Sequence, residues 1–168
     1  MRSVASDSNL TSAYAMQRSG SASSRPRLLI VEDEQDLREL LAYNLSREGF
    51  RTSDVATGEG ALDQVAAEAP DIILLDLMLP GMSGLEVCRQ LKADREMSRI
   101  AVVILSAKGE EADIVTGLEM GADDYITKPF SPRVLAARLK AVLRRVTREA
   151  DESEGVRRIE INGLTVDP

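Results

Sequence analysis

Asp71-Ile72-Ile73-Leu74-Leu75-Asp76 decides the fold. Between two acids stand apolar residues in unbroken succession. A strand with one wet face alternates polar and apolar side chains. A run that is apolar at every position needs cover on both faces, as in the inner strands of a parallel sheet packed between helices. Working outward, Leu28-Leu29-Ile30-Val31 and Ile100 to Leu105 are runs of the same kind. Weaker strands are read at Arg51 to Val55 and Asp124 to Thr127.

Longer amphipathic stretches separate these runs. Glu34 to Glu48 carries Leu37, Leu40, Leu41, Asn44 and Leu45 at helical spacing, and Gly49 ends it. Gly58 to Glu68 is an Ala-rich helix that stops before Pro70. Ser83 to Ala93 opens with Ser83 and, three residues on, Glu86, the pattern of a capping box. Glu110 to Met120 closes at Gly121. Ser131 to Arg145 has Pro132 in its first turn. The result is five strand–helix repeats. Right-handed crossovers turn such repeats into a doubly wound α/β sheet that binds ligands at the carboxyl ends of its strands.

The flanks differ in composition. Residues 1–26 are polar and Ser-rich and read as a disordered tail. The folded unit spans residues 27–146. Residues 147–158, through Glu149-Ala150-Asp151-Glu152, read as an acidic linker. In 159–168, Ile159, Ile161 and Gly163-Leu164-Thr165-Val166 resemble one or two strands of a further domain, too short to fold alone.

Composition narrows the chemistry. The chain has 168 residues, a formal charge of −7 and no His, which removes His catalysis, His metal ligands and a histidine phosphodonor. With two Phe, three Tyr and no Trp the core must be aliphatic. An acidic unit is a poor direct ligand for nucleic acid. The single Cys88 cannot form an internal disulfide, which fits a reducing compartment. No apolar run is long enough to span a membrane, and residues 1–26 lack a secretory apolar core. These features point to the cytoplasm.

Chemistry-bearing residues terminate the strands in order. Glu32-Asp33 follows the first, Asp76 ends the third, Ser106 ends the fourth and Lys128 ends the fifth. Each alone has an ordinary reading: an acid after a strand is often a helix cap, and a Lys before Pro is often surface charge. Jointly they gather three carboxylates in one crevice, which repel unless a cation binds. A hard divalent ion with oxygen ligands, Mg²⁺, meets that need. An Asp beside Mg²⁺ and Lys128 can attack a phosphoryl group to give an aspartyl phosphate.

Four stretches then resemble the response-regulator receiver family. They are Leu29-Ile30-Val31-Glu32-Asp33-Glu34, Asp76 to Gly84, Ile104-Leu105-Ser106-Ala107 and Gly121 to Phe130. The resemblance implies a flavodoxin-like sheet of order 2-1-3-4-5 with helices on both faces. It implies Asp76 as phosphoacceptor, Asp33 as a direct Mg²⁺ ligand, Glu32 acting on the metal through water, and the Met78 carbonyl in the metal shell. Lys128 would pair with phosphoryl oxygens, before a cis bond to Pro129. Ser106 and Tyr125 would be the switch pair. Met78 and Lys108, two residues past Asp76 and Ser106, offer no carboxylate or amide to orient a water. Slow self-dephosphorylation, and no enzyme beyond it, is expected.

The opening Glu-Asp-Glu, the Asp-Asp-Tyr-Ile-Thr-Lys-Pro-Phe-Ser-Pro run and the tail from Ile159 are most similar to the OmpR/PhoB class. That implies a sensor histidine kinase as donor, a winged-helix effector truncated here after its first strands, and DNA binding through the missing part. It also implies a homodimer on activation through the fourth helix, fifth strand and fifth helix. The matching face holds Val115, Leu118 and Ala136, with Asp124–Arg138 and Glu119–Lys140 as charge pairs. Ile114 and Val134 stand where the class often has a basic–acidic pair. An apolar pair replaces such an ion pair with little loss.

Competing classes fare worse. A dehalogenase-type phosphatase needs an acid two residues after its nucleophile, and here that residue is Met78. A flavodoxin-like electron carrier needs aromatics around a flavin. A stand-alone receiver acting through protein contacts is the nearest alternative.

Overall fold

The computed structural model describes residues 24–107 and 111–163, and for 156–163 the backbone alone. The expected strand–helix alternation is present: β1 (Arg27–Val31), α1 (Gln35–Arg47), β2 (Arg51–Val55), α2 (Gly58–Ala67), β3 (Ile72–Asp76), α3 (Gly84–Ala93), a short 3₁₀ turn (Met97–Arg99), β4 (Ala101–Ala107), α4 (Glu111–Glu119), β5 (Asp124–Lys128) and α5 (Pro132–Gly163). The strands form one sheet of order β2-β1-β3-β4-β5, all parallel. The inner strands β1, β3 and β4 are the three continuous apolar runs. The weakly patterned β2 and β5 are the edges, and an edge strand keeps partial contact with water.

Successive residues of the inner strands feed two cores. Leu29, Val31, Ile73, Leu75, Val102 and Ile104 pack with Ala61, Val65, Val87, Cys88, Leu91 and Ile114 of α2, α3 and α4. Leu28, Ile30, Ile72, Leu74, Val103 and Leu105 pack with Leu41, Leu45, Leu135, Leu139 and Val142 of α1 and α5. Each fully buried Leu or Ile contributes about 1.5–3 kcal/mol of transfer free energy, so the centre of the sheet is the most strongly held part. Register then fixes the carboxyl ends. Val31 lies opposite Leu75, Asp76 opposite Leu105, and Ser106 opposite Thr127. Residues 32, 76, 106 and 128 therefore emerge at one end of the sheet.

The carboxyl-terminal reading needs correction. The last helix does not stop near Arg145; it runs to Gly163, through the expected linker and into the expected strands. Three physical reasons support the helix. The stretch holds no Pro between Arg133 and Asp167, it is rich in Ala, Arg and Glu, and Arg148 pairs with Glu152 one turn on at 3.6 Å. A strand at 159–163 would also need a neighbour, and the described sheet ends at β5. From Thr147 to Gly155 every residue is exposed, so this part projects from the body. Residues 1–23 of the expected tail, and 164–168, lie outside the described residues.

Candidate functional site

The acidic pair follows β1 directly. The Glu32 amide donates to the Val55 carbonyl of β2 at 3.2 Å, continuing the ladder past the strand end. Its side chain folds back: Glu32 Oε1 accepts from the Glu34 amide at 3.1 Å. Asp76 behaves alike, its Oδ1 accepting from the Met78 amide at 2.9 Å. The remaining oxygens meet one ammonium. Lys128 Nζ donates to Glu32 Oε2 at 3.2 Å and to Asp76 Oδ2 at 3.0 Å. Glu32 and Asp76 are buried, Asp33 is exposed, and one carboxylate oxygen from each of the three lies within 4.8 Å of the others.

Charge is poorly balanced here. Burial, a hydrogen bond with Asp76 and repulsion from Asp76 push the Glu32 carboxyl from the ordinary 4.5 up to about 7. Burial pulls the Lys128 ammonium down, but Asp76 and Glu32 outweigh it and the net shift is upward. At the end of β4, Ser106 Oγ is buried and has no hydrogen-bond partner among the described residues. A buried hydroxyl left unpaired costs about 1–3 kcal/mol. Three hard oxygen donors at close range, with a surplus of negative charge, fit a divalent cation such as Mg²⁺.

The loop from β3 to α3 is shaped by glycine. Gly81 has φ +73°, and a Cβ on Gly84 would collide with the Asp76 carbonyl, so only glycine lets α3 approach this closely. Ser83 caps α3, its Oγ accepting from the Glu86 amide at 3.2 Å. The reciprocal half of the capping box is absent, because the Glu86 carboxylate is taken by Arg89 and Gln90.

A profile of the response regulator receiver domain matches residues 28–140. The chain belongs to the response regulator receiver family. It is 48% identical over 142 residues to the phosphate regulon transcriptional regulatory protein PhoB of Escherichia coli (strain K12), covering 84% of this chain and 60% of that protein. It is 49% identical over 128 residues to the alkaline phosphatase synthesis transcriptional regulatory protein PhoP of Bacillus subtilis (strain 168), covering 76% and 52%. The chain thus spans little more than half the length of these relatives, which are of the OmpR/PhoB class. Among solved structures, the signal receiver domain of a histidine kinase from Syntrophus aciditrophicus superposes with a TM-score of 0.68 at 37% identity, covering 73% of this chain and 93% of that one. A CheY-like receiver domain protein from Methanospirillum hungatei JF-1 gives 0.70 at 28% identity, covering 75% and 99%.

Within this receiver, Glu32, Asp33, Asp76 and Lys128 come together, and the Lys128–Pro129 bond is cis. Met78 points its side chain outward. Lys108 lies outside the described residues. The expected dimer face fares unevenly. Val115, Leu118, Val134 and Tyr125 are exposed, but Ile114 and Ala136 are buried and cannot belong to a surface patch. On α4, Ile114 and Gly117 turn to the sheet while Val115 and Leu118 turn outward. On α5, Ala136 sits with Leu135 and Leu139 on the core side. Arg138 pairs with Asp124 within the chain, at 3.3 Å. Lys140 reaches Glu48 at 3.7 Å rather than Glu119, because it lies on the side of α5 that meets α1.

Two contacts of the site were missed from sequence. Glu59 of α2 accepts from the Met82 amide at 3.1 Å, tethering the β3–α3 loop from 23 residues away. Arg38 of α1 bonds the backbone of the acidic pair. No local motif marks either one, since the partner in each case is a backbone atom outside its own helix. Among the described residues no helix is long and apolar enough to cross a membrane.

Proposed function

We propose that this receiver takes a phosphoryl group from a phosphohistidine on a sensor histidine kinase and holds it on Asp76. The observation that carries the reading is the pocket itself: Asp76 and Glu32 share the Lys128 ammonium at 3.0 and 3.2 Å, with an Asp33 oxygen alongside. Glu32, Asp33, Asp76 and the Met78 carbonyl would hold Mg²⁺, which when bound supplies positive charge against the phosphoryl oxygens. An Asp76 carboxylate oxygen attacks phosphorus in line. The phosphorus–nitrogen bond breaks, and its electron pair leaves with the imidazole, which recovers a proton from water. Lys128 passes from its carboxylate partners to the new phosphoryl oxygens. Ser106, whose hydroxyl has no partner among the described residues, donates to them. Tyr125, exposed on β5, follows Ser106 inward. The new charge thereby biases a two-state surface formed by α4, β5 and α5.

The output follows from the class of the relatives. Residues 27–146 form the receiver, the activated form pairs with a second copy through α4–β5–α5, and DNA is bound by a winged-helix effector beyond α5. The protein acts in the cytoplasm. It is no enzyme beyond slow self-dephosphorylation, since Met78 has no group to orient water. A receiver that acts through protein contacts alone is the second reading, favoured by the continuous helix across 159–163 where effector strands were expected.

Treatment with acetyl phosphate, with and without Mg²⁺, tests the proposal. Intact mass should show one added phosphoryl group only when Mg²⁺ is present, and none in Asp76→Asn. Labelling retained in Asp76→Asn overturns the assignment. Size-exclusion elution of the labelled protein reads the dimer.

A further inference from the structure

Arg38 has an arrangement that a surface cation does not need. It stands in the first turn of α1, its amide bonded to the Glu34 carbonyl at 2.9 Å. Its side chain turns back over the loop that carries the acidic pair. Nη1 donates to the Glu32 carbonyl at 2.9 Å and, more weakly, to the Asp33 carbonyl at 3.4 Å. Nε lies 3.4 Å from Asp54 Oδ1 of β2, and the side chain is only 18% exposed. The guanidinium therefore grips the backbone of the two residues whose carboxylates line the pocket. Among the described contacts it touches neither of those carboxylates.

We infer that Arg38 is a positioning residue that sets the affinity of the pocket for Mg²⁺ by fixing the Glu32–Asp33 backbone. This rests on the reading of that pocket as a Mg²⁺ site. Two effects of Arg38 on the ion oppose each other. As a nearby positive charge it repels a cation and weakens binding. As a fork with Nη1 on two carbonyls and Nε facing Asp54, it fixes where the acid side chains start, and so removes ordering entropy from the binding step. The second wins in this proposal, because the fork is held in turn by Asp54 and by the helix it grows from. The exposed Asp33 has most to gain, since no hydrogen bond to its carboxylate restrains it among the described contacts.

The opposed signs make the test sharp. Mg²⁺ alone is titrated calorimetrically into the full chain, at a temperature where each variant is shown to be folded. Outer contacts of this kind shift metal affinity about 10–100-fold, and Arg38→Met is expected at the lower end, a loss of about tenfold. Arg38→Lys keeps the repelling charge but not the fork, so it should recover none of that loss and bind Mg²⁺ at least as weakly as Arg38→Met. Without metal, amide exchange at Asp33 and Glu34 should quicken in both variants. Unchanged or tighter Mg²⁺ binding in folded Arg38→Met overturns the inference, and so does wild-type affinity in Arg38→Lys, which would show that the guanidinium geometry is not needed. If Arg38→Met does not fold, Arg38→Lys with unaltered affinity and exchange overturns it alone. The two readings fail differently. A wild-type chain that binds no Mg²⁺ removes the metal site and this inference with it. A wild-type chain that binds, with variants that bind equally well, removes only the role of Arg38.

Discussion

Two ion pairs sit at opposite ends of β5 and differ little in length. At its carboxyl end Lys128 meets Asp76 at 3.0 Å, with side chains 27% and 5% exposed. At its amino end Asp124 meets Arg138 at 3.3 Å, with side chains 25% and 47% exposed. Distance does not separate them; surroundings do. The first pair is set against a buried second acid, Glu32, and a third close by, so one ammonium faces three carboxylates. The second pair balances one to one in water. A surplus of negative charge in a site of low dielectric stores free energy that a cation can release. A balanced, wet pair stores almost none. The pocket end therefore carries a charge surplus on which a local charge event can act, and the other end carries none.

The largest expected contrast is chemical. Asp76→Asn should abolish acetyl-phosphate labelling, while Asp124→Asn should label as the wild type does; intact mass reads both. Loss of labelling in Asp124→Asn would erase the distinction between the two ends.

Stability comes next. Lys128→Met strips the buried acids of their cation. Removing one partner of a buried pair costs about 3–5 kcal/mol, which discounted for the open quarter of the lysine becomes about 2–4 kcal/mol. The loss should be greatest above about pH 7, where Glu32 is ionised, and should shrink at lower pH as Glu32 takes up a proton. Urea midpoints on either side of that value measure it. An equal loss at both would mean that Lys128 acts by packing alone.

The same carboxyl gives a smaller effect on metal binding. Its raised value means that the metal-free fold loses stability as pH climbs from 4.5 through about 7, because the folded chain then holds a charge it disfavours. Mg²⁺ must displace that proton below about 7. Affinity should therefore rise with pH, by up to about tenfold per unit below that point, and level off above it. Calorimetry across the range, repeated with Glu32→Gln, tests the attribution; a slope that survives in Glu32→Gln belongs to another group.

How much of this could be read from the chain alone follows the same divide. The pocket was legible because its residues end a strand or closely follow one, and the apolar runs at 28–31, 72–75 and 100–105 placed the inner strands in a buried parallel sheet. Position at a strand end is a one-dimensional property. The α4–β5–α5 face is not: on α4 the apolar residues Ile114 and Val115 are neighbours, and only packing decides that the first goes inward. Ala136 failed for the same reason. Arg38 and Glu59 were invisible because their partners are backbone atoms of other elements. The run through 147–163 misled because an acidic, soluble composition describes an exposed helix as well as it describes a linker.

The smallest predicted effect is the one that most tests the comparison. Arg138→Met removes the cation at the wet end of β5. An exposed pair of this kind contributes about 0.2–1 kcal/mol, and salt screens it further. About half of the Arg138 side chain is open to water, so the loss should fall at the low end and vanish in high salt. Asp124 would not be stranded, because one of its oxygens already accepts from the Tyr125 amide at 2.8 Å. A double cycle of Arg138→Met with Asp124→Asn, read by urea unfolding at low and high salt, isolates the pair. A coupling energy as large as that of Lys128 with Asp76 would mean that burial is not what distinguishes the two ends. A coupling near zero in the metal-free chain that grows once Asp76 is phosphorylated would show instead that the wet end is drawn into the switch.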